Sequence, residues 1–122
     1  MSRVGTPTER VPGIAAAVFG PRLELAERYA GLLVSDGVRR GVIGPHEPER
    51  IWTRHLLNCA PVSDLFPEQS RVVDVGSGAG LPGIALAVRR PDLRVDLVEP
   101  LLRRVDFLHE IVTDLGLGEQ VR

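Results

Sequence analysis

The first half of the chain carries apolar positions at helical spacing. A helix is predicted over 21–35, where Pro21 is well placed to begin it. A second helix is predicted from Pro48, and Pro61 should end or kink it near Ala60. The glycine- and proline-rich residues between the two helices predict a turn-rich connection.

The second half changes to an alternation of strands and helices. The pattern predicts a buried strand, a glycine-rich turn, a helix, a second strand, a second helix and the first residues of a third strand, over 71–75, 76–80, 82–89, 93–98, 101–115 and 120–122. Strand–helix–strand–helix is the order of a parallel sheet with crossover helices. The predicted fold class is therefore α/β with an N-terminal helical extension.

Three segments follow from this reading. Residues 1–20 are expected to be a loose tail, 21–69 the N-terminal helical extension, and 70–122 the first half of a cofactor-binding domain. A doubly wound sheet normally has about five or more strands, so we expect a domain truncated after about two. Such a chain would leave its first strand as an unpaired edge. We therefore expect residues 1–122 alone to aggregate, dimerise or remain molten, and to be inactive.

Composition narrows the function classes. The 122 residues are 43% hydrophobic and 25% charged, which indicates a globular protein and excludes a disordered one. No apolar run is long enough for a membrane span, so we expect no membrane partner. The single cysteine, Cys59, fits a reducing compartment, and we expect a cytoplasmic location.

Charge is distributed unevenly. All fifteen basic residues are arginine. Residues 1–61 carry eight arginines against six acids, a net of +2, and residues 62–122 carry seven against ten, a net of −3. The whole chain is therefore not a basic clamp for nucleic acid, and any RNA contact would use local arginine clusters.

The most informative segment is the glycine run 76–80, which follows Asp74 and the first predicted strand directly. Glycines at this place permit a tight turn and a close approach of the backbone to a ligand. Glu99 lies 19 residues after Gly80, at the end of the next strand, where a carboxylate can bind a ribose diol. The pattern predicts a nucleoside-containing cofactor at the carboxyl ends of adjacent strands.

Several readings of this run remain open. Residues 78–83 satisfy the dinucleotide fingerprint G-x-G-x-x-G, so an NAD(P)-dependent oxidoreductase is one alternative. A structural turn and a truncated, non-catalytic fragment are others. However, the glycines begin at Gly76 and an acid stands at Asp74. Acid-x-Gly-x-Gly-x-Gly with a later acid resembles the first two motifs of class I S-adenosylmethionine-dependent methyltransferases.

A narrower resemblance rests on three segments. Residues 74–84, DVGSGAGLPGI, resemble the signature of the bacterial guanine-N7 methyltransferases of small-subunit ribosomal RNA, the family also called glucose-inhibited division protein B. Residues 54–58, RHLLN, and 101–108, LLRRVDFL, resemble flanking segments of that family. Glu99 and Asn58 stand where many members have Asp. The resemblance covers roughly residues 20–122, and the abundance of arginine suggests an actinobacterial member.

The resemblance implies a fold, a cofactor and a reaction. The fold would be Rossmann-like and the cofactor S-adenosylmethionine. Gly76 and Leu81 would contact the cofactor, Gly78 and Gly80 would shape the loop, and Glu99 would accept hydrogen bonds from the ribose. The product would be guanine methylated at N7 in small-subunit (16S) ribosomal RNA. Guanine N7 has a free lone pair and needs no general base, so no catalytic residue is assigned.

Arginine pairs are the candidate RNA contacts, because arginine is well suited to phosphate. Arg103 and Arg104 are the strongest candidates, since they open the helix after the cofactor-binding strand, and Arg54 is a third. The other candidate pairs are 39–40 and 89–90. His55 and Cys59 share a helix face, but without a second ligand pair nearby we expect a packed face and no metal site.

Overall fold

The computed structural model describes residues 7–122, and the first helix in this range is short. Helix α1 (Ala15–Phe19) leads through a 3-10 turn, Gly20–Arg22, into helix α2 (Leu23–Leu32). The expectation of a loose tail over 1–20 is wrong for residues 15–20; residues 1–6 lie outside the described range. Phe19 is buried and packs edge-on against Trp52, with ring centroids 6.1 Å apart, so tertiary contact stabilises this short helix.

The two predicted helices of the first half are present, with one correction. Helix α2 continues through a π-type turn, Leu33–Gly37, close to the predicted end. The second is a composite helical segment that runs from Glu47 to Ser63 and closes with helix α3 (Ala60–Ser63). Pro61 does not end it, since the segment continues to Ser63, but the helical geometry changes from a π-type turn to a 3-10 turn, Leu57–Cys59, and then to α3 directly before Pro61.

The second half forms a parallel sheet as predicted. Strand β1 (Arg71–Val75) pairs with strand β2 (Arg94–Val98) in parallel, with Arg71 opposite Arg94 and Val75 opposite Val98. Helix α4 (Gly83–Arg89) makes the crossover, and helix α5 (Leu102–Asp114) follows β2.

The expected start of a third strand is also confirmed. Val121 forms a parallel bridge with Val95, supported by a hydrogen bond of 2.9 Å from the Arg122 N–H to the Val95 carbonyl. The chain is therefore α/β, with β2 lying between β1 and this bridge. Within residues 7–122, β1 pairs with β2 alone.

The prediction that β1 is buried holds for one face of the sheet only. Val72 is buried, whereas Val73 and Val75 are 57% and 79% exposed. The helices of the described chain cover the Val72 face, and side chains alternate across a strand. The opposite face, which also carries half-exposed Val98, has no comparable cover within residues 7–122.

One hydrophobic core joins the two halves of the chain. It includes Phe19, Tyr29 and Trp52 from the N-terminal helices together with Ile84 and Val95 from the crossover helix and the sheet. Helix α2 packs on α4, so the N-terminal helices lie against the element that follows the glycine run. No helix within the described range has the length and apolar character needed to cross a bilayer.

Candidate functional site

The glycine run forms a loop fastened to the end of the neighbouring strand. The N–H groups of Gly76 and Ser77 both donate to the carbonyl of Val98, at 2.7 and 3.2 Å. Gly76, Gly78 and Gly80 have φ values of 78°, 57° and 94°, in the region that favours glycine. The parallel register thus brings the loop after β1 beside the end of β2, as the sequence predicts.

The glycines of this loop differ in what surrounds them. A side-chain carbon at Gly76 would meet nothing within 4 Å, and one at Gly78 would meet only the Gly76 carbonyl at 4.0 Å. At Gly80 it would lie 2.6 Å from Ile84 and 2.9 Å from the Tyr29 hydroxyl. Gly76 and Gly78 therefore border open space in which a ligand can approach the backbone, whereas Gly80 is required by packing.

Glu99 is held against the loop by two backbone N–H groups. Its Oε1 accepts a hydrogen bond of 2.8 Å from Gly78, and its Oε2 accepts one of 3.0 Å from Leu101. The N–H groups of Leu101 and Gly78 lower the pKa of Glu99, because hydrogen bonds to a carboxylate favour its charged form. The candidate ribose acceptor is therefore ionised and fixed in orientation beside the open part of the loop.

Asp74 connects the end of β1 to the start of α4. Its Oδ2 accepts a hydrogen bond of 3.1 Å from the N–H of Gly83, the first residue of α4. Ser77 is buried and donates from its hydroxyl to the Asp74 carbonyl at 2.9 Å. Burial raises the pKa of Asp74, and the Gly83 N–H opposes that rise. Asp74 thus orients the turn between β1 and α4.

Sequence reasoning missed Tyr29 as a neighbour of the loop. Tyr29 lies on α2, is fully buried, and donates from its hydroxyl to the carbonyl of Ala79 at 2.8 Å. A tyrosine on the apolar face of a helix carries no signal of such a contact. Leu81, the other predicted cofactor contact, is partly buried and packs against the core at the end of the loop.

The three best arginine candidates for RNA differ in exposure. Arg54 and Arg103 are exposed, and Arg103 lies over the turn at Gly41. Arg104 is half-buried, and its charge lowers the pKa of Glu99. Its Nε is buried with no hydrogen-bond partner in the described chain. Arg104 therefore lies next to the candidate cofactor site, whereas Arg54 and Arg103 are open to solvent.

The pair Arg89 and Arg90 is corrected. Arg89 donates to the Val18 carbonyl and pairs with Asp64 at 2.6 Å, and Arg90 donates to the carbonyls of Ser63 and Phe66 at 2.8 and 2.6 Å. These guanidinium groups bind the protein's own backbone and are not free to contact phosphate. They connect the end of α4 to the helical segment.

The pair Arg39 and Arg40 is also engaged within the protein. Arg40 pairs with Glu110 at 2.9 Å and lies over the ring of Phe107, 5.4 Å from its centre. Arg39 pairs with Asp36 at 2.8 Å but remains largely exposed. Arg40 therefore has a structural role on the surface of α5.

His55 and Cys59 make separate structural contacts. The His55 Nε2 lies 2.6 Å from Glu47 Oε1, and the Cys59 thiol donates to the His55 carbonyl at 3.1 Å. Burial raises the pKa of the Cys59 thiol to about 11, which disfavours the thiolate that binds metal. Among residues 7–122, no group of three His, Cys, Asp or Glu side chains is arranged to hold a metal ion.

Comparison with known proteins places the chain in a family. Residues 22–121 match the family model described as GidB, rRNA small subunit methyltransferase G. A protein of Mycobacterium marinum named ribosomal RNA small subunit methyltransferase G is 58% identical over 114 residues, covering 93% of this chain and 50% of the relative. Proteins of the same name from Frankia casuarinae and Salinispora arenicola are 59% and 60% identical over 91% and 96% of this chain.

The match extends over nearly all of this chain but only part of its relatives. The chain spans about half the length of the curated relatives it matches, at 50%, 42% and 48% for the three named. The glycine loop and Glu99 lie inside the matched region. The chain belongs to the rRNA small subunit methyltransferase G family.

Proposed function

We propose that the protein containing this chain is an S-adenosylmethionine-dependent methyltransferase that modifies guanine N7 in small-subunit (16S) ribosomal RNA in the cytoplasm. The family supports the reaction class, and the α/β topology is consistent with a class I, Rossmann-like fold. One structural observation carries the proposal: an open glycine loop whose backbone holds an ionised glutamate at the end of the adjacent strand.

The residues of the loop fit the proposed cofactor. A side-chain carbon at Gly76 or Gly78 would occupy space that the structure leaves open. Gly76, Gly78, Leu81 and Glu99 would hold the cofactor, and Gly80 would shape the loop. When bound, S-adenosylmethionine supplies a methyl group on a sulfonium centre. The two N–H groups on Glu99 keep its carboxylate charged and oriented, so it can accept hydrogen bonds from the ribose hydroxyls.

The chemistry asks little of the protein beyond positioning. Guanine N7 is already a nucleophile, and in-line transfer requires that donor and acceptor be held in a reactive geometry. The buried Ser77 hydroxyl and the half-buried Asp74 carboxylate both bond to the backbone around the loop, which reduces the ordering cost of binding.

A dinucleotide at the same loop is disfavoured by Asp74. In dinucleotide-binding folds the pyrophosphate lies at the N-terminus of the helix after the glycines, where free N–H groups point at it. Here the first N–H of α4, that of Gly83, already donates to the Asp74 carboxylate. A negative charge at this position repels a pyrophosphate. The NAD(P)-dependent alternative therefore fits the geometry less well.

The cofactor proposal is tested by calorimetry on the protein expressed from its complete reading frame. Glu99→Ala removes the acceptor and should weaken S-adenosylmethionine binding about 5- to 100-fold, which corresponds to roughly 1–3 kcal/mol for unpaired ribose hydroxyls. Glu119→Ala, an exposed glutamate beyond α5, is the matched control and should bind like the unmodified protein. Unchanged affinity of Glu99→Ala, or tighter binding of a nicotinamide dinucleotide, would contradict the proposal.

We also propose that Arg54, Arg103 and Arg104 contact ribosomal RNA. Substituting the exposed Arg103 with Gln should weaken RNA binding and lower the slope of log affinity against log salt by about 0.7–0.9 per lost phosphate contact. Its cofactor affinity should not change. Arg104→Gln should lower cofactor affinity as well, since its charge stabilises ionised Glu99.

Arg94 provides the control for the RNA experiment. It is exposed at the start of β2, whereas Glu99 follows the last residue of that strand. Arg94→Gln should leave the salt slope unchanged. If Arg103→Gln and Arg54→Gln behave like Arg94→Gln while remaining folded, these arginines belong to the solvated surface.

A further inference from the structure

Both ends of one peptide group in the glycine loop are fixed by the protein. The carbonyl of Ala79 accepts the hydrogen bond from the Tyr29 hydroxyl at 2.8 Å. The N–H on the other side of the same peptide, that of Gly80, donates to the Ser77 carbonyl at 2.7 Å. The orientation of this peptide therefore depends on a residue of the N-terminal helix α2.

The neighbouring peptide continues the same chain of hydrogen bonds. The Ser77 carbonyl receives the bond from Gly80, and the N–H of Gly78, on the other side of that peptide, donates to Glu99 Oε1 at 2.8 Å. Two peptide groups thus connect the Tyr29 hydroxyl to the Glu99 carboxylate. Peptides polarised in series strengthen one another, so each bond depends on the others.

We propose that Tyr29 is a positioning residue of the cofactor site, which acts on Glu99 through the Ala79–Gly80 and Ser77–Gly78 peptides. The inference rests on the proposed function, because it assigns Glu99 to the cofactor. Tyr29 itself is buried beneath the loop and does not border its open side. Helix α2, whose Tyr29 precedes Ala79 by fifty residues in sequence, contributes to the site in this way.

The loop needs this support because of its glycines. Gly78 and Gly80 flank Ala79 and can adopt many backbone conformations, so the hydrogen bonds of the Ala79–Gly80 peptide help to hold the loop in this one. Tyr29 is fully buried, and solvent does not readily replace a lost hydroxyl there. Burial also raises the pKa of Tyr29 well above its ordinary value, so the hydroxyl remains a donor.

Helix α2 also makes a contact with α5. Arg28, next to Tyr29, donates to both the backbone carbonyl and the carboxylate of Asp114 at the end of α5, at 2.9 and 2.7 Å. Helix α2 therefore contacts both the glycine loop, through Tyr29, and the far end of α5, through Arg28.

The test is Tyr29→Phe in the protein expressed from its complete reading frame. This change removes the hydroxyl and keeps the ring. We expect S-adenosylmethionine to bind about 5-fold more weakly, with KM raised by a similar factor and kcat nearly unchanged. In the Glu99→Ala background the same change should alter affinity by less than about 2-fold, since the carboxylate through which it acts is gone.

Ser63→Ala is the matched control. Ser63 is also buried and donates from its hydroxyl to a backbone carbonyl, that of Ala60, at 2.6 Å, but it lies in the helical segment away from the loop. It should lower thermal stability without altering cofactor affinity. A 5-fold loss on Tyr29→Phe in both backgrounds, or an equal loss on Ser63→Ala, would overturn the proposal.

Amide hydrogen exchange tests the inference without any cofactor. Tyr29→Phe should accelerate exchange at the Gly78 and Gly80 N–H groups by about 5-fold or more, while the Gly83 N–H, which Asp74 holds, should not change. Equal acceleration at all three, or at none, would refute it. If the unmodified protein does not bind S-adenosylmethionine, the proposed function fails, and the exchange result still decides whether Tyr29 fixes the loop.

Discussion

Gly83 provides a sharp test of the packing beneath the loop. It is the first residue of α4 and is buried against the side chains of Asp74 on β1 and Leu97 on β2. A methyl group added there would lie 2.5 Å from Leu97 Cδ2, 2.7 Å from Asp74 Oδ2 and 3.1 Å from Asp74 Cβ. Gly83→Ala therefore forces Asp74 to move away from the helix that it caps.

The expected cost is the sum of two terms. Overpacking by a single methyl group in a well-packed core costs about 1–3 kcal/mol. The displacement also stretches the 3.1 Å bond from the Gly83 N–H to the half-buried Asp74 carboxylate, and a typical net hydrogen bond is worth about 1 kcal/mol. The helix propensity of alanine returns up to about 1 kcal/mol. We therefore expect a net loss of about 1–3 kcal/mol and a Tm lowered by several degrees.

Gly31→Ala is the control with the opposite sign. Gly31 lies within α2, is exposed, and would place its methyl group where nothing lies within 4 Å. Alanine there should stabilise the protein by about 0.5–1 kcal/mol. Both variants are compared by thermal and urea unfolding followed by circular dichroism. If Gly83→Ala is as stable as the unmodified protein while Gly31→Ala behaves as expected, the described packing of Asp74 and Leu97 is incorrect.

Two further predictions concern ion pairs. Arg90→Lys should lower the urea midpoint of unfolding, since lysine cannot make both the two-bond pair with Asp92 and the bonds to the backbone carbonyls; an unchanged midpoint would show that these bonds do not contribute to stability. The pKa of Glu47 is lowered to about 2 by Arg50 and His55, so its stabilising contribution is complete above the ordinary value of 4.5 and is lost as pH falls towards 2. The free energy of unfolding of Glu47→Gln should depend less steeply on pH between 4.5 and 2 than that of the unmodified protein, and an equal pH dependence would contradict the assignment.

Periodicity and parallel topology explain why much of the site could be predicted. The β-branched run at β1 and the apolar positions at helical spacing in α5 are clear sequence signals. The bounds of both elements fall within one or two residues of the expected ones. Parallel pairing then requires the end of β1 and the end of β2 to lie side by side. The closeness of Gly78 to Glu99 follows from that requirement, and the carboxylate at position 99 supplies the acceptor for the Gly78 N–H.

Contacts between distant residues were not accessible to the same reasoning. Helix α1 is only five residues long, and its formation depends on the packing of Phe19 against Trp52. The backbone carbonyls that accept from Arg90 lie more than twenty residues before it, so a charged pair that looks solvated in the sequence proves to be bonded inward. The Tyr29–Ala79 bond spans fifty positions and leaves no periodic trace.

The division into a helical extension and a cofactor-binding half describes the order of the chain better than its packing. Arg22, just before α2, donates to the carbonyls of Ala87 and Val88 at the end of α4, and Tyr29 binds the loop at the start of the same helix. The N-terminal helices therefore form hydrogen bonds at or near both ends of α4. A core built in this way from both segments makes the geometry of the glycine loop a property of the two together, so a ligand that tightens the loop must also stabilise the helices that support it.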